Sequence, residues 1–174
     1  MCPSSMLKPQ DIPILLKTYL WQDRPWRYSD LAESLGMSAS EVHSSLKRST
    51  TAKLYNPLTR QPLTPHLLEL LIHGLKYIYP AIPGTLVRGM PTAHGISPLK
   101  EQIVSSQELL VWAFPTGTEI GLAVTPLYPS VPLAASLDLQ LYELLGLVDA
   151  LRVGRIREQQ LAAVALQERL GATP

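Results

Sequence analysis

The stretch from Tyr28 to Tyr55, YSDLAESLGMSASEVHSSLKRSTTAKLY, decides the fold of the N-terminal part of this chain. Leu31 and Leu35 are spaced as the apolar side of a short helix, and Gly36 follows where that helix should end. Ser38 begins an S-x-x-E capping box, which starts a second helix. The pattern predicts two short helices joined by a tight turn, the arrangement of a helix-turn-helix.

The second predicted helix has one apolar side and one polar side. Val42 and Leu46 form the apolar stripe, which leaves the polar residues on the outside or at the edges. In a helix-turn-helix the second helix lies in the major groove of DNA and presents its polar side to base edges and phosphates. The candidate DNA contacts are therefore Arg27, Ser38, Ser40, Glu41, His43, Ser44, Lys47 and Arg48.

A short hairpin is predicted after the second helix. Lys53–Tyr55 and Gln61–Leu63 are candidate strands, and Asn56-Pro57 begins the turn between them. Arg60 lies near the tip of this turn. Because such a hairpin is the wing of a winged helix-turn-helix, Lys53 and Arg60 join the candidate DNA contacts.

Helices on both sides complete the predicted module. The segment from Asp11 to Gln22 has the apolar spacing of a helix. Thr64-Pro65 opens another helix, from about His66 to Tyr79, because threonine caps helices and proline favours their first position. The sequence predicts a winged helix-turn-helix domain over residues 9–79.

The segment LAESLGMSASEVHSSLKR, Leu31 to Arg48, resembles the winged helix-turn-helix domains of MarR-like bacterial transcriptional regulators. The resemblance covers roughly the first 80 residues. Ser45 departs from the family pattern, which more often has a second aliphatic residue there. The resemblance implies a sequence-specific DNA-binding regulator that acts as a homodimer on double-stranded DNA, with its recognition helix in the major groove.

Local charge agrees with this interpretation. Six basic and three acidic residues lie between Arg24 and Arg60, an excess of +3, whereas the net charge of the whole chain is +1. Phosphate contacts supply most non-specific DNA affinity, so a basic module favours binding to DNA. Small helical domains that bind proteins use the same apolar spacing and serine caps, which leaves that alternative open.

Residues 80–135 form a predicted proline-rich connecting region. Leu109–Phe114 and Glu119–Thr125, separated by Pro-Thr-Gly-Thr, are predicted to pair as a β-hairpin. Residues 80–98 are expected to be ordered, because Ile82, Leu86, Val87, Met90 and Ile96 anchor them. Arg88, His94 and Lys100 are candidates for anion binding, although basic residues in a loop are more often solvated.

Residues 136–170 form a predicted C-terminal helical region. Ser136 is expected to cap a leucine-rich helix, and Gly154 to mark a break before a second helix, Arg155 to Leu170. Both helices suit a dimer or partner interface, or they pack on the middle region within one protomer. Arg152, Arg155 and Arg157 lie close to Asp149 and Glu158, so we expect this cluster to be structural.

A winged helix followed by a separate C-terminal body also resembles, in organisation alone, the abortive-infection type IV antitoxins. This resemblance implies an alternative function, a protein-interaction module or antitoxin that binds a partner protein such as a nucleotidyltransferase toxin. A stable homodimer in solution favours the regulator, whereas a monomer with exposed apolar surface favours a missing partner.

Enzyme activity is not expected. The sequence has no phosphate-binding loop, G-x-S-x-G elbow or H-E-x-x-H pattern, and no cofactor or metal is predicted. Cys2, the single cysteine, lies near the terminus and is a poor candidate nucleophile. With no signal-peptide pattern and no apolar stretch of about 20 residues, a cytoplasmic protein without membrane contact is expected. The predicted fold is mainly α, with a small hairpin region.

Overall fold

The computed structural model describes residues 6–103 and 108–171 and is mainly helical, as predicted. Cys2 lies outside the described residues. The chain divides into two compact units: the first extends to Leu67 and takes in Leu127–Leu141, and the second comprises Leu68–Pro126 and the chain from Tyr142 onwards. The three domains predicted from the sequence, residues 9–79, 80–135 and 136–170, are consecutive segments of the chain, whereas each unit combines separate segments. The predicted division stays a prediction.

The helices and strands are named in chain order. The helices are α1 (Asp11–Leu20), α2 (Tyr28–Leu35), α3 (Ala39–Thr51), α4 (Thr64–Glu69), α5 (Leu75–Ile78), α6 (Leu99–Gln102), α7 (Val131–Leu137), α8 (Leu139–Val153) and α9 (Ile156–Gly171). A π-helical turn, Leu70–Gly74, joins α4 to α5, and Ala93–Gly95 is a 3-10 turn. The strands are β1 (Tyr55–Asn56), β2 (Gln61–Pro62), β3 (Leu86–Pro91), β4 (Leu110–Ala113) and β5 (Glu119–Ala123). None of the helices in the described part of the chain has the length and apolarity needed to cross a bilayer.

The first unit is built around α1, α2 and α3, at the positions where the sequence predicts helices. Their apolar residues recur every three or four positions, so each helix turns one stripe toward a common core. The buried side chains of this core include Ile12, Leu15, Leu31, Leu35, Val42 and Leu46. The predicted hairpin is present as the antiparallel pair β1 and β2, in which Tyr55 is opposite Pro62.

An ion pair between Lys17 and Asp138 also belongs to the first unit. Lys17 Nζ lies 2.5 Å from Asp138 Oδ2, and the Leu141 amide donates to Asp138 Oδ1 at 3.1 Å. Burial alone would raise the pKa of Asp138, but the bonds from Lys17 and the Leu141 amide lower the pKa below its ordinary value of 3.8. A carboxyl group whose pKa is lower in the folded state stabilises the fold above its unfolded pKa.

We therefore expect Asp138→Asn to reduce the acid sensitivity of the protein. In the natural chain, the stabilisation from Asp138 is present above the ordinary pKa of 3.8 and is lost as the pH falls below it through the lowered pKa. Urea unfolding midpoints measured across this range should fall less steeply with pH in the variant. Equal pH dependence of the two proteins would show that this carboxylate contributes nothing.

The second unit contains a three-stranded closed sheet. β3 is antiparallel to both β4 and β5, and β4 and β5 are parallel to each other. The two strands predicted at Leu109–Phe114 and Glu119–Thr125 are present, but the hairpin predicted between them is wrong. Both strands instead form antiparallel ladders with β3, a strand that precedes them in the chain.

Two glycines allow the strands of this sheet to approach closely. A Cβ atom on Gly89 would collide with the carbonyl oxygen of Trp112, and one on Gly121 with the carbonyl oxygen of Leu109. Residues 80–98 include β3 and the 3-10 turn, and Ile96 is buried among them, whereas the predicted order of the segment stays a prediction. Ile82 and Leu86 do not anchor the segment as predicted, because both side chains are exposed.

The predicted C-terminal helices are present, but the first of them is capped by a different residue. The cap of α8 is Asp138, whose Oδ1 accepts from the Leu141 amide. Ser136 was the predicted cap, but it lies inside α7 and donates to the carbonyl oxygen of Leu133 at 2.7 Å. The predicted break at Gly154 is confirmed, since α8 ends at Val153 and α9 begins at Ile156.

Arg152 lies in a buried polar network of the second unit. Its guanidinium group contacts Asp149 Oδ1 at 2.6 Å and the carbonyl oxygen of Tyr79 at 2.9 Å. Asp149 Oδ2 accepts from Trp112 Nε1 at 2.6 Å and from Thr92 Oγ1 at 3.0 Å. The structural role predicted for Arg152 is therefore confirmed.

Candidate nucleic-acid interface

The turn between α2 and α3 is fixed by local hydrogen bonds. α2 ends at Gly36, whose φ of +62° is a left-handed conformation that glycine adopts without strain. Ser38 Oγ accepts a hydrogen bond from the Glu41 amide at 3.1 Å, which caps α3. Ser130 Oγ donates to the carbonyl oxygen of Leu35 at 2.5 Å. These bonds set the direction in which α3 leaves the turn.

One side of α3 is exposed along its length. The exposed residues are Ser40, His43, Lys47 and Thr51. Their spacing of three and four residues places them on one side of the helix. Ser44, another predicted contact, is half-buried at the edge of this surface. We call these four exposed residues the polar face of α3.

The exposed position predicted for Arg48 is wrong. Only 7% of Arg48 is exposed, and its guanidinium group donates three hydrogen bonds to the carboxylate of Asp11: Nη2 lies 2.6 Å from Oδ1, and Nε lies 3.0 Å from Oδ2 and 3.3 Å from Oδ1. Asp11 is the first residue of α1, which packs beside α3 in the first unit. Arg48 therefore joins two helices and is not available to a phosphate.

Glu41, another predicted DNA contact, is bound to the same arginine. Its Oε1 accepts from Arg48 Nη2 at 2.6 Å and from Gln10 Nε2 at 3.1 Å. Burial alone would raise the pKa of Glu41, but these hydrogen bonds and the charge of Arg48 lower the pKa below its ordinary value. Glu41 is therefore a charged, structural carboxylate at neutral pH.

The β1–β2 hairpin carries a cation held by aromatic rings. Arg60 has a φ of +57° in the turn between the strands. Its guanidinium carbon lies 3.8 Å from the ring centre of Trp26 and 5.8 Å from that of Tyr28. An arginine stacked on a ring loses less side-chain freedom when it binds a ligand. The rings of Tyr28 and His43, a residue of the polar face of α3, are in a T-shaped contact with their centroids 5.4 Å apart.

A cleft of about 260 Å³ lies between α3 and the hairpin. Tyr28, His43, Lys47, Thr51 and Tyr55 are among the residues that line it. Burial raises the pKa of the Tyr55 phenol, although a hydrogen bond from Arg60 opposes the rise. The cleft therefore combines aromatic surface, hydroxyl groups and one exposed ammonium group.

The exposed charges of this region are mostly positive. Between Arg24 and Arg60, five exposed cations stand against two exposed carboxylates, Asp30 and Glu33. The cations are Arg24, Arg27, Lys47, Lys53 and Arg60. The predicted excess of three charges therefore survives, although Arg48 and Glu41 neutralise each other inside the unit.

Trp26 and Tyr28 belong to this surface although helical spacing does not indicate them. Both rings lie directly before or at the start of α2 and hold Arg60 beside α3. The signal in the sequence was the run Trp26-Arg27-Tyr28, two aromatic residues around a cation.

Comparison of the chain with protein-family models, curated proteins and solved structures gives no match.

Proposed function

We propose that the first unit is a winged helix-turn-helix that binds double-stranded DNA and that the protein is a sequence-specific transcriptional regulator. The polar face of α3 is the observation that carries this proposal. Helix α3 has 13 residues, a length of about 20 Å, which suits the major groove of B-DNA. In this proposal Ser40, His43 and Lys47 contact base edges and phosphates, and Lys53 and Arg60 contact the backbone beside the groove.

The charge arrangement supports a phosphate-binding role for the hairpin. Lys53 and Arg60 are exposed, and Arg60 is stacked on Trp26 at 3.8 Å. Stacking positions the guanidinium group, and the N–H donors that do not bind Tyr55 can reach phosphate oxygens. Few phosphate contacts per protomer imply modest affinity, so we propose that the regulator acts as a homodimer on a two-fold site.

We expect the double variant Lys47→Gln with Lys53→Gln to bind DNA more weakly and with a smaller salt dependence. Each lost phosphate contact should reduce the slope of log affinity against log salt concentration by about 0.9. The measurement is a salt titration of binding to genomic DNA fragments that the natural protein retains. Both side chains are exposed, so the unfolding midpoint should not change.

A matched control separates local contacts from net charge. Arg155→Gln with Arg157→Gln removes two exposed cations from the second unit. This control should keep the salt slope of the natural protein. Equal losses in the two double variants would contradict an interface on α3 and the hairpin, and so would a natural protein that retains no DNA fragment at any salt concentration.

Exposed apolar side chains favour a second candidate function, binding of a partner protein. Leu133 and Leu137 share one side of α7, and Leu137 is 75% exposed. Large exposed apolar patches often mark protein interfaces. Light scattering tests this candidate: a homodimer of stable mass supports the regulator, and a monomer that aggregates supports a missing partner such as a toxin.

A further inference from the structure

A cavity of about 370 Å³ lies in the second unit, at one end of its three strands. β3 ends there at Pro91, β5 begins there at Glu119, and Leu109 directly precedes β4. Lys100 and Ile103, from α6 and its end, form another part of the wall. The volume falls within the range of small-molecule binding sites.

Two opposite charges line this cavity without neutralising each other. The Lys100 ammonium and the Glu119 carboxylate are both solvent-exposed, and within the described residues neither side chain forms an ion pair or a hydrogen bond. Glu119 would repel a ligand that carries only a negative charge, and Lys100 would repel one that carries only a positive charge. The pair is complementary to a ligand that carries both charges.

His94 contributes an unsatisfied polar group at the same place. It is only 6% exposed, and within the described residues its Nδ1 is buried without a hydrogen-bond partner. The preceding residue, Ala93, has a φ of +53°, which is strained for a residue other than glycine. Buried unsatisfied groups and backbone strain are both concentrated at ligand sites.

We propose that this cavity binds a free amino acid with an apolar side chain. The α-carboxylate pairs with Lys100, the α-ammonium group pairs with Glu119, and the side chain lies against Pro91, Ile103 and Leu109. The imidazole of His94 closes the wall beside the polar end of the ligand. Arg88, which the sequence grouped with His94 and Lys100, does not line the cavity and donates to the carbonyl oxygen of Gly117 at 3.3 Å.

Calorimetric titration with L-leucine tests this site. We expect saturable binding with a dissociation constant below about 1 mM. Two analogues separate the charge requirements: 4-methylpentanoate lacks the ammonium group, and 3-methylbutylamine lacks the carboxylate. Each should bind at least about tenfold more weakly, because one charged group of the protein is left desolvated and unpaired.

Two variants and two controls locate the binding. Lys100→Ala and Glu119→Gln should each weaken leucine binding at least about tenfold. Glu101→Gln, on the same helix as Lys100 but outside the cavity lining, and Arg157→Ala, on α9, should bind leucine like the natural protein. Absence of saturable leucine binding would overturn the proposal, as would binding that both cavity variants leave unchanged.

Discussion

Arg48→Ala is expected to destabilise the protein by about 3–5 kcal/mol, because it breaks a buried ion pair by removing one partner. The side chain of Asp11 is fully buried and its carboxylate receives three hydrogen bonds from Arg48. Without the guanidinium group, this negative charge stays in the core of the first unit, and among residues 6–103 and 108–171 the Lys8 amide, at 2.8 Å, is the donor still bound to it. The loss should appear as a lower urea midpoint with an unchanged slope.

The adjacent Lys47→Ala is the matched control for this experiment. Lys47 is exposed on the polar face of α3, so its removal should change stability by less than about 0.5 kcal/mol. Adding Asp11→Ala to Arg48→Ala should cost much less than the two single losses combined, since the partners act as one unit. An Arg48→Ala protein as stable as the Lys47→Ala protein would refute a structural role for the pair.

The ion pair also determines which variants report on DNA binding. A loss of DNA binding in Arg48→Ala would follow from unfolding of α3 against α1 and would say nothing about phosphate contacts. Lys47 and Lys53 are free of this problem because their side chains are exposed. Lys47 and Arg48 are adjacent in the sequence, but Lys47 is exposed at the surface, whereas Arg48 forms a buried ion pair in the core.

Short-range rules were sufficient to predict the helices around the turn. Gly36 and Ser38 act through hydrogen bonds to residues within a few positions, so their effect can be read directly from the sequence. The same holds for the break at Gly154, which separates α8 from α9. Such local signals predicted where the helices of the first unit lie, to within a few residues.

Long-range pairing was not predictable in the same way. Arg48 is charged and follows the exposed Lys47, so a helical wheel places it at the edge of the polar side. Its burial depends on Asp11, a residue 37 positions earlier, whose only visible property was its position at the start of a helix. A single sequence contains no information that connects these two residues.

The strand error has a related cause. Pro115-Thr116-Gly117-Thr118 has the composition of a hairpin turn, so the local sequence predicts that the strands on either side of it pair with each other as a hairpin. A third strand, β3, pairs with both of them; Gly89 lets β3 approach β4 closely, and Gly121 lets β4 and β5 approach each other as a parallel pair. Isolated glycines within strand patterns are the available signal for such close approach.

The sequence predicts the candidate interface only in part, because some of its contacts depend on tertiary packing. Ser40, His43 and Lys47 follow from helical spacing alone and are exposed together. The stacking of Arg60 on Trp26 requires the hairpin to fold back beside α2, a tertiary contact. Sequence spacing thus predicts which residues share a helix side, whereas the position of the hairpin cation depends on packing.

Asp149→Ala is expected to have an effect of similar size in the second unit, about 3–5 kcal/mol. The carboxylate is 2% exposed and accepts hydrogen bonds from Arg152, Trp112 and Thr92 at 2.6, 2.6 and 3.0 Å. Within the described part of the chain, its removal leaves the guanidinium charge without a counter-ion and the indole N–H without an acceptor. Asp149→Asn should be milder, because an amide oxygen can still accept from Trp112.

Glu143→Ala provides the comparison on the same helix. Glu143 pairs with Arg169 at 3.1 Å, but about a third of each side chain is exposed, so its loss should cost less than about 1 kcal/mol. Urea unfolding of the three variants should rank them Glu143→Ala, Asp149→Asn and Asp149→Ala in order of increasing loss. If Asp149→Ala is no less stable than Glu143→Ala, the network does not hold the sheet against α8.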